Sequence, residues 1–408
     1  MHKTQVLFAA VLLFSTAAFS FEVKSHFSHI YSDSDGSANL FNISASDEFG
    51  QENKKIFFDY KLDYNEFKST HTEVTGQARN VNFSSSIKNP FCNFTGRFGL
   101  LDTNEIKLDV SKKISNEGAQ GVYFGFESLF NIYNLQIKPF YYFGNLDFSD
   151  GDMAYFMGHP SDCVVMIFGS DFLYEKNYLQ LIYIPFNFNI LTNDSKELLF
   201  DSKNFITGLL YSHEFPVYAG EVKFNFNPFA AYYFAKGNTN GLLTRDNQPY
   251  LYFVFDYFRV NADYNFHYIL LGSNANLIYK SWKFNFDSAF AFIPYGIAGI
   301  NTSWKKLDGL APWQETLVWD SLEMEKEGSS PINFDKLNKS GLFIFNLGAT
   351  FNFLQNHGQL SVNKKIIIPF SLGKSSDSAN ASSGNQLDSN TVKNILLSGI
   401  TVGLSIRF

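Results

Sequence analysis

Apolar and polar residues alternate along most of the chain, and this period of two constrains the fold more than any other feature. In residues 55–65 every second side chain is apolar, and Phe57 is the one apolar residue on the polar side. The same pattern recurs in residues 218–226, 258–268, 282–292 and 341–353. Helical periodicity is almost absent. Alternation over about 9 to 11 residues predicts β-strands with one apolar face and one polar face.

The composition narrows the kind of β-protein. The 408 residues include 47 Phe and 22 Tyr, while only 17% are charged, against about 25% in an average soluble domain. No apolar run reaches the roughly 18 uncharged residues of a spanning helix, which excludes a polytopic helical membrane protein. The net charge of -7 provides no electrostatic attraction for phosphate backbones, so nucleic acid is not an expected partner.

Two architectures fit such strands: a secreted β-sandwich and a transmembrane barrel. The apolar faces are rich in aromatic residues toward the strand ends, as in Tyr141–Phe143 and Tyr232–Phe234, which suits rings at a membrane interface. The alternating segments also exceed the usual 5 to 6 residues of a sandwich strand. The polar faces carry charges of both signs, which predicts contact with water and therefore a lumen.

The N-terminus has the features of an export signal. A basic start at Lys3 is followed by the apolar run Val6–Phe14 and by small residues at Ala18 and Ser20. We expect residues 1–20 to be a signal peptide cleaved near Ser20, and residues 21–408 to form the barrel. Cleavage would leave 388 residues of the 408.

The C-terminus carries the most specific motif. Thr401, Gly403, Ile406 and the terminal aromatic Phe408 continue the alternation of the last strand. This segment resembles the C-terminal targeting signal of bacterial outer-membrane β-barrel proteins. The resemblance implies an outer-membrane location, contact with outer-membrane lipids, and recognition of this last strand by the barrel-assembly machinery.

At roughly 20 to 25 residues per strand and connection, the chain predicts an antiparallel up-and-down barrel of about 16 strands, with 14 to 18 allowed. Long outer loops are expected near residues 303–340 and 371–392. In the first loop, Pro312 and apolar residues at helical spacing predict a short helix that Gly328 and Pro331 end. One interpretation folds this loop into the pore, so that Glu315, Asp320 and Glu323 form a constriction, whereas another places the helix on the surface.

Sites for chemistry are sparse. No G-x-S-x-G elbow or phosphate-binding glycine loop occurs, and His213-Glu214 lacks the second His of a zinc helix. The prediction is a protein that is not an enzyme and has no cofactor or metal. Cys92 and Cys163 could form a disulfide in an oxidising compartment, but their parity and position disfavour it.

The polar faces supply the candidate pore-lining residues, which are Lys55, Asp59, Lys61, Asp63, Glu221, Lys223, Arg259, Asp263, Lys283 and Asp287. Their mixed signs predict a weakly selective, porin-like channel that lets small solutes diffuse passively. A transporter of hydrophobic compounds, of the fatty-acid type, is one alternative. A surface-displayed binding or adhesin barrel is the other, and the sequence identifies neither the solute nor the oligomeric state.

Overall fold

The computed structural model describes residues 22–32, 36–51, 54–68, 72–88, 92–102, 106–110, 113–117, 120–147, 161–191, 198–244, 255–306, 327–333, 340–354, 357–371 and 397–407. The expected signal peptide lies outside these residues, as do Phe408, the candidate constriction residues Glu315, Asp320 and Glu323, and nearly all of the expected loop 371–392. No helix in the described part of the chain is long and apolar enough to cross a membrane.

Nearly every described residue belongs to a β-strand. The first ten strands are β1 Glu22–Ser32, β2 Gly36–Gln51, β3 Lys54–Lys68, β4 Thr72–Lys88, β5 Cys92–Asp102, β6 Ile106–Val110, β7 Lys113–Glu117, β8 Gln120–Ile132, β9 Leu135–Asp147 and β10 Ser161–Tyr174. The other ten are β11 Asn177–Leu191, β12 Leu198–His213, β13 Phe215–Ala219, β14 Val222–Thr244, β15 Phe255–Tyr279, β16 Trp282–Lys306, β17 Glu327–Asn333, β18 Ser340–Phe353, β19 Gly358–Ser371 and β20 Leu397–Arg407.

The strands close into a barrel because the last strand pairs with the first. β1 is antiparallel to both β2 and β20, and β20 is antiparallel to β19. The short strands β6 and β7 form a hairpin beside the end of β4. Strand β13 follows β12 and continues its pairing with β14. Strand β17 pairs with residues 299–305 of β16. The wall therefore has 16 antiparallel strands, which confirms the all-β transmembrane barrel and the predicted strand number.

The two ends of the barrel differ in their connections. At one end, called the turn end, two-residue turns join neighbouring strands at 133–134, 175–176, 220–221 and 280–281. The first residue of each turn has a positive φ, for example 61° at Gly220, which matches the twist of tight hairpins. Longer connections lie at the other end, called the loop end. In outer-membrane barrels the short turns face the periplasm and the longer loops face outward.

Gly220 and Glu221 correct one prediction. The alternation in residues 218–226 suggested a single strand with Glu221 on its polar face, but the structure has a turn there, between β13 and β14. Glu221 is exposed in this turn, with the carboxylate 3.8 Å from Nζ of Lys280. A tight turn keeps the parity of both flanking strands, so alternation alone did not reveal it.

Toward the turn end the apolar face points outward. Phe284 and Leu271 are 44% and 48% exposed, whereas Asn276 and Asn285, on the opposite face, are less exposed. Side chains spread apart on a convex surface and converge on a concave one, so the more exposed apolar set is the outer face. Tyr and Trp side chains on this face lie close to the turns, where an interfacial girdle is expected, at Tyr174, Tyr211, Tyr279 and Trp282.

Three strands extend far beyond the length that a membrane requires. β14, β15 and β16 contain 23, 25 and 25 residues, whereas about 9 to 11 residues of a tilted strand cross the hydrocarbon. We call their turn-end parts, residues 222–234, 269–279 and 282–293, the membrane segment. Their loop-end parts, residues 235–244, 255–268 and 294–306, are called the extension.

In most of the extension the outer face is polar, although it also carries the exposed side chains of Tyr295, Ile297 and Leu242. Arg259 and Asp263 lie on β15 at the parity of Leu271, which is outward, and both are exposed. Asn238 of β14 donates a hydrogen bond of 2.5 Å to Asp263 on this outer surface. The prediction that Arg259 and Asp263 line the pore is therefore wrong: water surrounds the extension outside as well as inside, so its outer face can be polar.

The segment after β16 also differs from its prediction. Residues 327–333, which were expected to close a helix, form β17, antiparallel to residues 299–305 of β16. The indole of Trp304 lies against Gly328 and is only 9% exposed. The first outer loop is therefore shorter than residues 303–340, because both of its ends are strand.

Candidate functional site

The lumen is the candidate site, and one side of its wall is rich in charge. Glu127 of β8 is 8% exposed, and its carboxylate lies 3.0 Å from Nη2 of Arg97 and 2.9 Å from Nζ of Lys138. The hydroxyl of Tyr142 donates a hydrogen bond to the same carboxylate. Two cations and a hydroxyl therefore hold one anion on the inner face of β5, β8 and β9.

The charged side continues on the next strands. Asp171 of β10 accepts hydrogen bonds from the Tyr178 hydroxyl at 3.0 Å and from the Gln180 amide at 2.9 Å. Gln180 also donates to the Tyr178 oxygen at 3.0 Å. We call the residues Asp59, Arg97, Glu127, Lys138 and Asp171 the charged arc.

Four predicted pore-lining residues lie on β3, all on its inner face. Lys61 pairs with Asp63 at 2.9 Å, and Lys55 pairs with Glu48 of β2. Asp59 accepts a hydrogen bond of 3.2 Å from Asn82, and Asp63 accepts one of 2.5 Å from Asn42. Each of these charges has a polar partner on the wall, so the field that they present to the lumen is mixed in sign.

The opposite side of the lumen is lined mainly by asparagine. In one register row, Asn225 of β14, Asn276 of β15 and Asn285 of β16 are direct neighbours. Gly348 of β18 comes next, and the amides of Asn285 and Asn363 both reach over it.

A second row lies two residues nearer the loop end on the same inner face. It contains Asn227, Asn274, Asp287 and Asn346 in register order. Asp287, a predicted pore-lining residue, accepts a hydrogen bond of 2.8 Å from Asn346. The amide arc is defined as Asn225, Asn227, Asn274, Asn276, Asn285, Asn346 and Asn363.

Lys223 and Lys283 are the remaining predicted pore-lining residues. Both are register neighbours of Ile278 at the turn end and lie at the inner parity, below the amide arc. Their effect on permeation stays a prediction, as does that of the four β3 residues and Asp287.

Aromatic rings cover the inner face of β15 in the extension and of the adjoining end of the membrane segment of β14. Tyr264, Phe266 and Tyr268 follow one another on β15, with ring centroids 5.7 and 6.0 Å apart. Tyr233 of β14 is the register neighbour of Tyr268, and Phe229 lies below it. We call these five residues the ring track.

Most rings of the track lie against a neighbouring strand. A Cβ atom added to Gly237, Gly296 or Gly272 would overlap the ring of Tyr264, Phe266 or Phe229, respectively. The same holds for Gly208 and Tyr233. Because glycine leaves room for close approach, these rings fold back onto the wall and do not project across the lumen.

The sequence prediction missed the Glu127 cluster and the amide arc. Arg97, Glu127 and Lys138 lie in segments whose alternation is weaker, and they meet only through the register of three strands. The asparagines were visible as polar residues on alternating strands, but the rows form only when register brings them side by side. A search for asparagine at inner parity on successive strands could have found them.

The two cysteines, and the two histidines of β1, are placed as follows. The structure has no disulfide between Cys92, on the outer face of β5, and Cys163, on the inner face of β10. His26 and His29 lie on opposite faces of β1, and His29 contacts Asn39 at 2.8 Å. Within the described ranges, no three His, Cys, Asp or Glu side chains are grouped so that they could hold a metal ion.

The C-terminal strand closes the barrel with the facing expected from alternation. Thr401 and Gly403 lie on the inner face of β20, where the Thr401 hydroxyl is 2.7 Å from that of Ser28. Ile406 has the outer parity of Leu404. The role of these residues and of Phe408 as an assembly signal stays a prediction.

Comparison with known proteins gives matches at the level of structure alone. No protein-family model matches the sequence, and no curated protein matches it either. The FrpB iron transporter from Neisseria meningitidis (F5-1 variant) aligns with a TM-score of 0.40 and 7% identity, covering 96% of this chain and 82% of that one. A bacterial polysaccharide outer membrane secretin aligns at 0.38 and 8%, covering 96% and 98%.

A third solved structure, Pseudomonas aeruginosa OccK5 (OpdH), aligns with a TM-score of 0.35 and 7% identity, covering 96% of this chain and 98% of that one. Identity and TM-score are low in all three matches. The functional proposals below therefore rest on the residues of the lumen.

Proposed function

We propose that this protein is an outer-membrane channel of the porin type, through which small solutes diffuse passively. The observation that carries the proposal is the polar inner face of a closed barrel whose outer face is apolar. Charged and amide side chains line the same depth at which Phe284 and Leu271 face outward. Such a wall can hold water across the hydrocarbon layer.

Permeation through this lumen requires no catalytic residue, and the proposed role is not enzymatic. Many charges of the inner wall have a partner of opposite sign or a hydrogen-bonding partner within the wall, such as Glu127 with Arg97 and Lys61 with Asp63. Paired charges of both signs produce a weak net field, so we expect modest ion selectivity. The location in the outer membrane belongs to the same proposal and is supported by the apolar outer band.

Apolar residues on the inner face toward the loop end, both on β11 and in the extension, favour one second candidate, a transporter of hydrophobic compounds. Ile184 and Phe186 of β11 share the inner parity of Gln180, and Phe266 of β15 shares that of Asn276. A solute that entered from the loop end would meet this apolar surface before the polar membrane segment. The continuation of the lumen into charged and amide walls makes passage of polar solutes the better supported candidate.

Recording of single channels in a planar bilayer tests the proposal directly. Refolded protein should give stepwise conductance that rises with salt concentration and discriminates weakly between cations and anions. A folded, heat-modifiable barrel that inserts without conductance would overturn the channel function. Uptake of an uncharged apolar dye into vesicles, in the absence of ion conductance, would support the second candidate.

A further inference from the structure

We infer that the lumen binds neutral polyhydroxylated solutes, such as linear oligosaccharides, along β14 to β16. This inference deepens the proposed channel function and rests on it. It is based on two neighbouring features of the inner face: the ring track begins toward the loop end and is followed by the amide arc, without interruption. From Tyr264 to Asn276 the path runs about 40 Å along β15, at about 3.3 Å per residue.

The amide arc has the chemistry that recognises hydroxyl groups. Each asparagine side chain offers two donors and one acceptor oxygen without a net charge. Asn225, Asn276 and Asn285 are direct register neighbours, so their amides repeat at the strand spacing of about 4.8 Å. A chain of hydroxyl-bearing rings can exchange hydrogen bonds with such a row in more than one register, which allows a solute to advance along it.

Several of these amides retain hydrogen-bonding capacity. The Oδ1 atoms of Asn227 and Asn285 accept no hydrogen bond from the residues that the structure describes, whereas the Asn225 amide already donates one to Glu214. An unsatisfied polar atom is costly to keep in a protein wall. Rotation of these amides toward a solute hydroxyl would satisfy them, which contributes favourably to binding. Asn93 on β5 has an unsatisfied Oδ1 as well, so what distinguishes the amide arc is the row of neighbouring amides next to the ring track.

The ring track supplies the complementary surface. Tyr264, Phe266 and Phe229 lie back on glycines of neighbouring strands, so the opposite face of each ring is turned to the lumen. Flat rings on a wall present apolar surface at little entropic cost, because the side chains are already fixed by packing. Sugar rings have one apolar C–H face and a rim of hydroxyls, and this combination fits an aromatic surface followed by amides.

The distribution of charge separates this class of solute from others. The first amide row itself contains no charged residue, although the Asn225 amide donates a hydrogen bond to the Glu214 carboxylate. In the second row the two charges are opposite in sign: Asp287 accepts a hydrogen bond from Asn346, and Lys365 is the next register neighbour of Asn346. The charged arc lies on other strands, β3 to β10, across the lumen. A charged solute would gain more from that arc, whereas a neutral hydroxylated solute would gain more from the amide arc and the ring track.

The experiment measures block of the single-channel current by maltohexaose, with polyethylene glycol of similar size as a steric control. Wild-type protein should show concentration-dependent current interruptions with maltohexaose and weaker ones with the glycol. The double variant Asn276→Ala/Asn285→Ala should weaken maltohexaose block by about thirtyfold, since each of the two neutral hydrogen bonds contributes about 1 kcal/mol. Phe266→Ala should weaken block by a comparable factor.

Asn93→Ala is the matched control, because Asn93 lies on the inner face of β5, away from the path. It should leave the maltohexaose block unchanged. Equal block by maltohexaose and the glycol, or an equal loss in Asn93→Ala and in the double variant, would overturn the inference. Ionic conductance without sugar is recorded for every variant, so absence of any channel would count against the proposed function and remain distinct from a channel that does not bind sugar.

Discussion

Both parts of β15 alternate polar and apolar residues, but the apolar residues face outward in the membrane segment and inward in the extension. In the membrane segment, Asn274 and Asn276 face the lumen and Leu271 faces outward, whereas in the extension Phe266 faces the lumen and Asp263 faces outward. The backbone passes from one part to the other without a bulge on the β14 side, since the β14–β15 register is continuous. On the β16 side the register shifts between His267 and Ile269, so β16 changes parity there while β15 does not. Along β15 itself, the polar and apolar faces are therefore exchanged by the sequence.

This difference shows that alternation identifies two faces but not which medium each face meets. In the membrane segment lipid covers the outside and water fills the inside, so apolar side chains belong outside. In the extension water covers the outside, and the inner face is free to become apolar. The outer polar residues of the extension, such as Asn240 and Arg259, thus show where the lipid-facing band ends toward the loop end.

The largest effect is expected in β20, whose 11 residues are comparable to a membrane segment alone. Deletion of Phe408, or Phe408→Asp, should abolish insertion, because the resemblance assigns this aromatic to the assembly signal. The measurement is the amount of heat-modifiable barrel in the outer membrane. Wild-type amounts of barrel after either change would remove the proposed signal.

The second largest effect is expected for a charge introduced on the outer face, which should destabilise the membrane segment more than the extension. Phe284→Arg lies in the membrane segment and should lower the free energy of unfolding by about 2 to 4 kcal/mol near the midplane. The matched variant Asn240→Arg lies on the exposed outer face of the extension and should change it by less than about 0.5 kcal/mol. Reversible denaturant unfolding in lipid vesicles provides both values, and equal losses would mean that lipid does not end between the two positions.

Much of the fold was predictable because the strand pattern depends on local sequence. The barrel and the facing of Lys55 to Asp63 follow from period-two alternation, and the strand number follows from the chain length at about 20 to 25 residues per strand. Arg259 and Asp263 were assigned to the wrong face because the period of two is the same where the outer face meets lipid and where it meets water. The Glu127 cluster and the amide arc depend on register between strands, which alternation does not determine.

Overpacking in the extension should have a smaller effect. Gly237→Val places a side chain where the ring of Tyr264 and the side-chain oxygen of Asn204 lie, and their displacement should cost about 1 to 3 kcal/mol. Tyr264→Ala in the same chain should restore part of the loss, because it removes the obstructing ring. Denaturant unfolding of the two single variants and the double variant measures this coupling, and strictly additive losses would show that the ring does not occupy the glycine surface.

The smallest effect is expected for ion selectivity, and it compares one acidic residue from each part. Asp287 faces the lumen in the membrane segment, whereas Asp263 lies on the outer face of the extension, although alternation had suggested the lumen for both. Asp287→Asn should shift the reversal potential in a salt gradient toward anion preference, since one lumenal negative charge is removed from a low-dielectric channel. The shift should be modest, because other inner charges of both signs remain, and it should shrink as salt shortens the Debye length below about 10 Å. Asp263→Asn should leave the reversal potential unchanged at all salt concentrations, because its charge is directed at bulk water outside the wall. A shift of equal size in both variants would indicate that Asp263 faces the lumen, which would contradict the exchange of polar and apolar faces along β15.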